Sequence, residues 1–208
     1  IDNRFVLKTK ESLQRYNPIS KINTVNFCFD RSCNLQCPSC RSELINYLGK
    51  DRNGVDEKLR QVNEEISPTI KRLYLSGSAD PFFSKSFRQF LIEFDPTKYP
   101  KMKSIHIHTN GILWTEQLWE RMKSVHPFVK SCEISIDAAT QDTYENKTRI
   151  GGKWETLLKQ LDFIINIPTI TFYIFSFVVQ DSNYKEMYDF SQLINNLNWK
   201  KKKSYNIF

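Results

Sequence analysis

The sequence predicts an α/β fold, a partial (β/α)6 TIM-type barrel with parallel strands. Short apolar segments rich in β-branched and aromatic residues alternate with segments whose apolar residues recur at helical spacing. Successive strand segments are far enough apart for a right-handed helical crossover, which parallel pairing requires. Six strand segments are expected, which is short of the eight in a complete TIM barrel.

The six predicted strands are apolar segments of strand length. TVNFCF and SCEISID alternate apolar with polar or small residues, KSIHIHTNG ends in an Asn-Gly turn, and TFYIFSFVV is rich in aromatic and β-branched residues. In chain order, the strands are expected at residues 24–29, 70–77, 103–111, 131–137, 169–180 and 203–208.

The predicted helices fall between these strands. SKSFRQFLIEF has apolar residues at helical spacing. The polar sequence GKDRNG is expected to be non-helical and to precede the helix at 56–66, and Pro168 is expected to end the helix at 154–165. In chain order, the helices are expected near residues 43–48, 56–66, 84–94, 115–123, 154–165 and 183–197.

The length of 208 residues suits one domain. We expect residues 1–23 to form an N-terminal extension and residues 24–208 to form the barrel domain. Because the chain stops on a predicted strand, we also expect the domain to be truncated at its carboxyl end.

Composition narrows the class of protein. The chain is 40% hydrophobic with a net charge of +7, no apolar run reaches the roughly 18 residues of a membrane span, and no signal-peptide pattern opens it. We therefore expect no membrane partner and a cytoplasmic location. The excess positive charge is scattered apart from KKKK at 200–203, and no nucleic-acid motif accompanies it, so nucleic acid is not the expected partner.

Three of the five cysteines lie within SCNLQCPSC, where Cys33, Cys37 and Cys40 have the spacing C-x3-C-x2-C. An odd, clustered set indicates a metal or redox site rather than a disulfide framework. Three thiolates can hold a [4Fe–4S] cluster whose fourth iron stays open to a ligand with an amine and a carboxylate. The alternative is a zinc site completed by a distant Cys or His. Cys132 is poorly placed to complete a zinc site, because it is predicted near the amino end of its strand, away from the cysteine loop.

The polar or unusual loops all follow predicted strands. The cysteine loop follows the first, SGSADPF the second, TNG the third, SIDAAT the fourth and VVQDSN the fifth. Because the carboxyl ends of parallel strands meet at one edge of the sheet, these loops are expected to form one site there.

These segments resemble the radical S-adenosylmethionine (radical SAM) enzymes. The resemblance runs from about Thr24 to the carboxyl end and is strongest in CNLQCPSCR, LSGSADPF, HTNGILW, SIDAATQDTYENKTRIGG and FSFVVQDSNYKEM. Within that family, these loops most resemble the branch whose members usually carry a further cluster-binding domain of the SPASM or twitch type. Beyond Cys40 only Cys132 remains, so a second cluster of that type has no ligands in this sequence.

The resemblance implies that a [4Fe–4S] cluster and S-adenosylmethionine are the cofactors. It implies reductive cleavage to a 5′-deoxyadenosyl radical, which takes a hydrogen atom from a peptide or small polar substrate, with oxidation, epimerisation or cross-linking as the outcome. It also implies a reductant such as flavodoxin or ferredoxin. The alternatives are a non-catalytic iron–sulfur or zinc-binding module and an RNA-modifying radical SAM enzyme.

The resemblance also implies which residues contact S-adenosylmethionine. Ser76, Gly77 and Asp80 occupy the position of the family's glycine-rich motif, where Gly77 allows close approach of the backbone and Asp80 offsets the ammonium charge. The remaining expected contacts are Asn110, Ser135, Arg149 and Val179. In the family, an aromatic residue often precedes the third cysteine and contacts the adenine of S-adenosylmethionine. Ser39 occupies that position here, so the contact is expected to be lost or to come from the backbone.

Side-chain alternation predicts which residues face the barrel interior. If Ile105 and Ile107 pack on the helices, then His106, His108 and Asn110 face inward, and the fourth strand sends Glu133, Ser135 and Asp137 inward. We expect His108 and Asp137 to bind substrate or transfer protons. His106 and Glu133 are expected in a hydrogen-bonded polar core.

The remaining two cysteines are expected in the core. Cys28 shares its face with Asn26, where a thiol can return a hydrogen atom to a substrate radical, but we expect it to be a small buried residue that fills the core. Cys132 is expected to pack in the core as well.

Overall fold

In the computed structural model, residues 22–75, 77–200 and 203–208 are described, so most of the predicted N-terminal extension lies outside the described residues. Six strands form one sheet in the order β1-β2-β3-β4-β5-β6, with every neighbouring pair parallel. The predicted α/β fold with parallel strands is confirmed. The strands are β1 (Thr24–Phe27), β2 (Arg72–Leu75), β3 (Ser104–Thr109), β4 (Val129–Ser135), β5 (Phe172–Ser176) and β6 (Ser204–Ile207).

Helices connect the strands. They are α1 (Gly49–Gln61), α2 (Lys85–Ile92), α3 (Glu116–Glu120), α4 (Gln141–Thr143), α5 (Trp154–Ile164) and α6 (Met187–Asn195). A π-helical turn extends α1 at Val62–Ile66, and another extends α4 at Tyr144–Thr148. The second of these carries the chain to Arg149 and was not predicted from the sequence.

The predicted helix at 43–48 and the break at GKDRNG are wrong. Residues 43–48 form an irregular segment, in which Ile45 O accepts from Cys33 N (2.9 Å) and Tyr47 N donates to Ser32 Oγ (2.8 Å). These bonds tie the segment to the cysteine loop, so tertiary contacts override its helical pattern. Helix α1 then begins at Gly49 and runs through GKDRNG.

The core lies between the sheet and the helices. Ile105, Ile107 and Cys132 are fully buried on the helix-facing side of β3 and β4, and the packed rings of Phe27 and Phe90 add to the same core. This confirms the predicted alternation on β3 and the buried position of Cys132. Cys28 is exposed, so its predicted role as core filling is wrong. It directly follows the end of β1.

The register of the sheet places polar side chains side by side on its inner face. His108 is paired with Glu133 across β3 and β4, and Ser135 with Ser176 across β4 and β5. Strand β5 ends at Ser176, short of its predicted end, because Val178 N turns to donate to Asp137 Oδ1 (2.8 Å). In the described part of the chain, no helix combines the length and hydropathy needed to cross a membrane.

Candidate functional site

The cysteine loop leaves β1 and is fixed by buried polar contacts. Asp30 accepts hydrogen bonds from Ser32 N (2.7 Å) and from Ser84 Oγ (2.5 Å), which also caps the amino end of α2. Further along the loop, Gln36 N donates to Ile150 O (2.9 Å). The loop is therefore anchored both to the segment after β2 and to the segment after β4.

Each of the three cysteines of the motif has a side-chain nitrogen donor near its sulfur. Asn110 Nδ2 lies 3.7 Å from Cys33 Sγ, a terminal nitrogen of Arg149 lies 3.4 Å from Cys37 Sγ, and one of Arg41 lies 3.4 Å from Cys40 Sγ. Such donors can also hydrogen-bond the sulfurs of a bound cluster. The loop thus presents three sulfurs in surroundings that suit metal ligation.

These sulfurs line one cavity of about 220 Å³ at the carboxyl-end edge of the sheet. Most of the residues expected at a cofactor or substrate contribute to it. The lining consists of Cys33, Cys37, Ser39, Cys40, Arg41, Gly77, Ser78, Ala79, Asp80, His108, Thr109, Asn110, Ser135, Asp137, Arg149 and Val178. Among the other expected residues, Val179 is exposed beside Val178 and is not in the lining, and Ser76 lies outside the described residues.

Asp80 connects the loop after β2 to the loop after β3. Its carboxylate is buried and accepts from Thr109 Oγ1 (2.7 Å), Asn110 N (2.9 Å), Phe82 N (3.0 Å) and Phe83 N (3.2 Å). Because Asn110 in turn donates to Asn34 Oδ1 (2.9 Å), the carboxylate indirectly positions the cysteine loop. The four donors fix the position of the Asp80 carboxylate in this structure. Its contact with an ammonium group stays a prediction.

Gly77 lines the cavity and lies against Cys28 at the end of β1. Its φ of 102° lies in the region that favours glycine, and a Cβ placed there would lie 2.7 Å from Cys28 Cβ. The loop after β2 can therefore pack this closely against Cys28 only with glycine at this position.

Asp137 and Arg149 form a buried ion pair behind Cys37. A terminal nitrogen of Arg149 lies 2.7 Å from Asp137 Oδ2, and Asp137 is fully buried while Arg149 is 9% exposed. Asp137 adopts φ 59° and also accepts from Val178 N, and Asn183 Nδ2 donates to its backbone carbonyl (2.9 Å). Asp137 lies two residues beyond the end of β4 and lines the cavity together with Ser135.

The inner face below the cavity holds a row of polar side chains. His108 Nε2 lies 2.8 Å from Ser135 Oγ and 3.6 Å from Glu133 Oε1, and Ser176 donates to the same oxygen of Glu133. His106 Nδ1 is 2.8 Å from Ser131 Oγ. Burial lowers the pKa of both histidines below 6.5, against the opposing charge of Glu133, so both imidazoles are neutral at pH 7.

The residues around the cavity fit a [4Fe–4S] cluster. Such a cluster spreads its thiolates over separate irons, and Cys33, Cys37 and Cys40 place three sulfurs in the lining of this one cavity. Burial, with the charge of Asp80, raises the pKa of Cys33 to about 11, so ligation has to displace a proton from that thiol. Cys132 is buried on the opposite face of β4 and is not available as a further ligand.

Comparison with known families agrees with this geometry. A family model described as the Radical SAM superfamily matches residues 28–194, which is most of the chain. The chain belongs to the radical SAM superfamily. It is an enzyme domain of a family that binds a [4Fe–4S] cluster and S-adenosylmethionine, and the cofactors expected from the sequence are confirmed. Assignment to the SPASM or twitch branch stays a prediction.

Two solved structures are similar to this radical SAM domain. Streptococcus suis SuiB bound to precursor peptide SuiA aligns with 98% of this chain and 43% of its own, with a TM-score of 0.56 and 14% identity. Native anSMEcpe with bound AdoMet and Cp18Cys peptide aligns with 89% of this chain and 50% of its own, with a TM-score of 0.59 and 15% identity. At these identities the likeness shows the fold alone. A search of curated proteins finds no match.

The chain therefore spans half or less of the length of these two structures. Its fold matches their partial barrel. Sequence reasoning missed several residues of the cavity, namely Arg41, Ser78, Ala79, Thr109 and Val178. Arg41 directly follows the third cysteine, and Val178 lies beside the predicted Val179. Proximity to the motifs in the sequence was therefore the only signal that could have placed these residues at the cavity.

Proposed function

We propose that this domain is the radical-generating core of an enzyme that modifies a peptide. With a reduced [4Fe–4S] cluster bound, S-adenosylmethionine supplies a 5′-deoxyadenosyl radical that takes a hydrogen atom from the substrate. The observation that carries the proposal is that three cysteines, a close-approach glycine and polar strand ends line one cavity. Oxidation, epimerisation or cross-linking are the possible outcomes at the substrate.

We assign roles according to position around the cavity. Cys33, Cys37 and Cys40 hold the cluster. The residues assigned to the S-adenosylmethionine side are Ser76, Gly77, Asp80, Asn110, Ser135, Arg149 and Val179, with the neighbouring Val178 added because it lines the cavity. One electron comes from a reductant such as flavodoxin or ferredoxin.

The substrate side of the proposal rests on the inner face of the barrel. His108 lines the cavity and leads to the polar row below it, so its neutral imidazole can bind a substrate or accept a proton there. Asp137 is assigned to the same region, where its buried carboxylate positions Arg149 and the turn at Val178. A peptide is the preferred substrate because both similar structures contain one.

Anaerobic reconstitution tests the radical chemistry. Full-length protein is loaded with iron and sulfide, treated with dithionite and S-adenosylmethionine, and assayed chromatographically for 5′-deoxyadenosine. We expect product from the native protein and none from Cys33→Ala, Cys37→Ala or Cys40→Ala. Cys28→Ala is the matched control, because Cys28 is exposed and is not in the cavity lining. A loaded cluster with no product would contradict the proposal and favour a binding module.

Isotope transfer tests the substrate class. An extract of cells grown in deuterated medium is separated into peptide and small-molecule fractions, and each is added to the assay. Deuterium in 5′-deoxyadenosine from the peptide fraction supports a peptide substrate. Deuterium from the small-molecule fraction alone would overturn that assignment.

A further inference from the structure

We propose that Glu133 binds a positively charged side chain of the substrate, so that the enzyme acts on peptides in which a lysine or an arginine enters the barrel. The inference rests on the proposed function, because it names the substrate class of the same cavity. Glu133 is not in the cavity lining, but its Oε1 atom lies 3.6 Å from Nε2 of His108, which is. A long side chain that enters the cavity beside His108 can therefore reach this carboxylate.

The charges on the inner side of the sheet favour a cationic ligand. Among the described residues the ion-pair partner of Glu133 is His108, whose imidazole is neutral at pH 7 because burial lowers its pKa below 6.5. The charges that act most strongly on His108 are those of Glu133, Arg149, Asp80 and Asp137, which are three carboxylates and one guanidinium. The potential there is therefore negative, and a carboxylate in a partly enclosed site is stabilised by a cation.

The surroundings of Glu133 suit a long side chain with a charged end. Ser176 donates a hydrogen bond to Oε1, whereas Oε2 receives none in the described part of the chain. Ile174 is the register partner of Glu133 on β5 and is half-buried on the inner face. An apolar side chain next to a carboxylate accommodates both the methylene stem and the charged end of lysine or arginine.

Arg72 also lies on the inner side of the sheet, but near the amino ends of the strands. Its register partner on β3 is Ser104, four positions before His108, and His108 is the residue that pairs with Glu133. At about 3.3 Å per residue, Arg72 and Glu133 are separated by roughly 13 Å along the strands. Arg72 therefore does not occupy the place proposed for the substrate cation.

Chemical blocking of the substrate tests the charge. The peptide fraction from cells grown in deuterated medium is acetylated to neutralise lysines, treated with phenylglyoxal to block arginines, or reductively methylated, which modifies lysines but keeps their charge. We expect acetylation or phenylglyoxal to lower deuterium transfer to 5′-deoxyadenosine by about tenfold or more, because a charge-assisted contact is lost. Methylation should cost far less. Transfer that survives both blocking treatments, or a loss on methylation as large as that on acetylation, would overturn the inference.

Variants of the full-length protein test the residue. Glu133→Gln keeps the size of the side chain and an acceptor for Ser176 but removes the charge. We expect it to lower transfer from untreated peptides by about tenfold or more, and blocking should then cost little further, because the partner of the blocked charge is already gone. Glu155→Gln, which removes an exposed charge from α5, is the matched control and should behave as the native protein does. Equal sensitivity to blocking in Glu133→Gln and native protein would contradict the assignment.

Formation of 5′-deoxyadenosine without peptide separates this role from one in which Glu133 faces the sulfonium of S-adenosylmethionine. Unchanged peptide-free formation in Glu133→Gln supports the substrate role, whereas a loss as large as that seen with peptide would overturn it. If Glu133→Gln does not retain a cluster, the blocking experiment on the native protein decides. Native protein that forms no 5′-deoxyadenosine, or none with deuterium from the untreated peptides, would instead contradict the proposed function.

Discussion

Gly77 shows how a close contact restricts a single position to glycine. A methyl group at this position would meet Cys28 Cβ at 2.7 Å, and the backbone φ of 102° is one that other residues rarely adopt. Gly54 is the opposite case, because it lies in α1 with nothing within 4 Å of a built Cβ. The same substitution should therefore have opposite effects at the two positions.

We expect Gly77→Ala to lower the free energy of unfolding by about 1–3 kcal/mol, since strain is added to a close backbone contact. Gly54→Ala should raise it by about 0.5–1 kcal/mol, because alanine loses less conformational freedom in a helix. Anaerobic urea denaturation of the two variants measures both. Two changes of the same sign would contradict the structural difference between these glycines.

At the scale of elements, Glu186 ties the segment before α6 to the segment after β4. Its carboxylate accepts from Ala139 N (2.6 Å), Thr140 Oγ1 (2.8 Å) and Thr143 Oγ1 (2.5 Å). Although burial acts in the opposite direction, these donors hold the pKa of Glu186 below its ordinary value. The same segment after β4 continues through the π-helical turn to Arg149, so Glu186 supports that residue from a distance.

We expect Glu186→Gln to speed hydrogen exchange at the amides of Ala139 and Thr140 by roughly ten- to a hundredfold, because loss of a charged acceptor costs about 1.5–3 kcal/mol. Exchange measured by mass spectrometry or NMR reports the change. Glu155→Gln, an exposed acid in the first turn of α5, is the control and should leave these amides unchanged. Equal protection in native protein and Glu186→Gln would show that the tie does not stabilise the segment.

At the scale of the whole molecule, the sheet separates an apolar helix-facing side from a polar inner side. His106 and His108 lie on the inner side, where burial lowers the pKa of each below 6.5. Glu133, Asp80 and Asp137 oppose that effect on His108, and Arg149 adds to it. The folded protein therefore binds fewer protons at these two sites than the unfolded chain does.

Below the ordinary histidine pKa the unfolded state gains protons that the folded state does not, so stability falls as pH falls. We expect the free energy of unfolding to decrease between about pH 7 and pH 5. His106→Asn combined with His108→Asn should flatten this decrease, as measured by anaerobic urea denaturation across that range. A slope that is the same in the double variant would show that other groups cause it.

Features that depend on local spacing could be predicted from the sequence. The C-x3-C-x2-C motif identified the three cysteines of the cavity, and strand–helix alternation predicted the parallel sheet. Alternation along β3 also placed His108 on the inner face, because side-chain direction in a strand depends only on parity. The predicted helix at 43–48 failed because contacts with the cysteine loop determine that segment.

The partners of the site residues could be identified only from the folded chain. Arg149 meets Cys37 across 112 positions of sequence, and Asn110 meets Cys33 across 77. Asp137 pairs with Arg149 through a positive φ that no strand pattern predicts. Such contacts depend on sheet register and on the path of the loops, whereas periodicity in the sequence reports only which face of its own element each residue occupies.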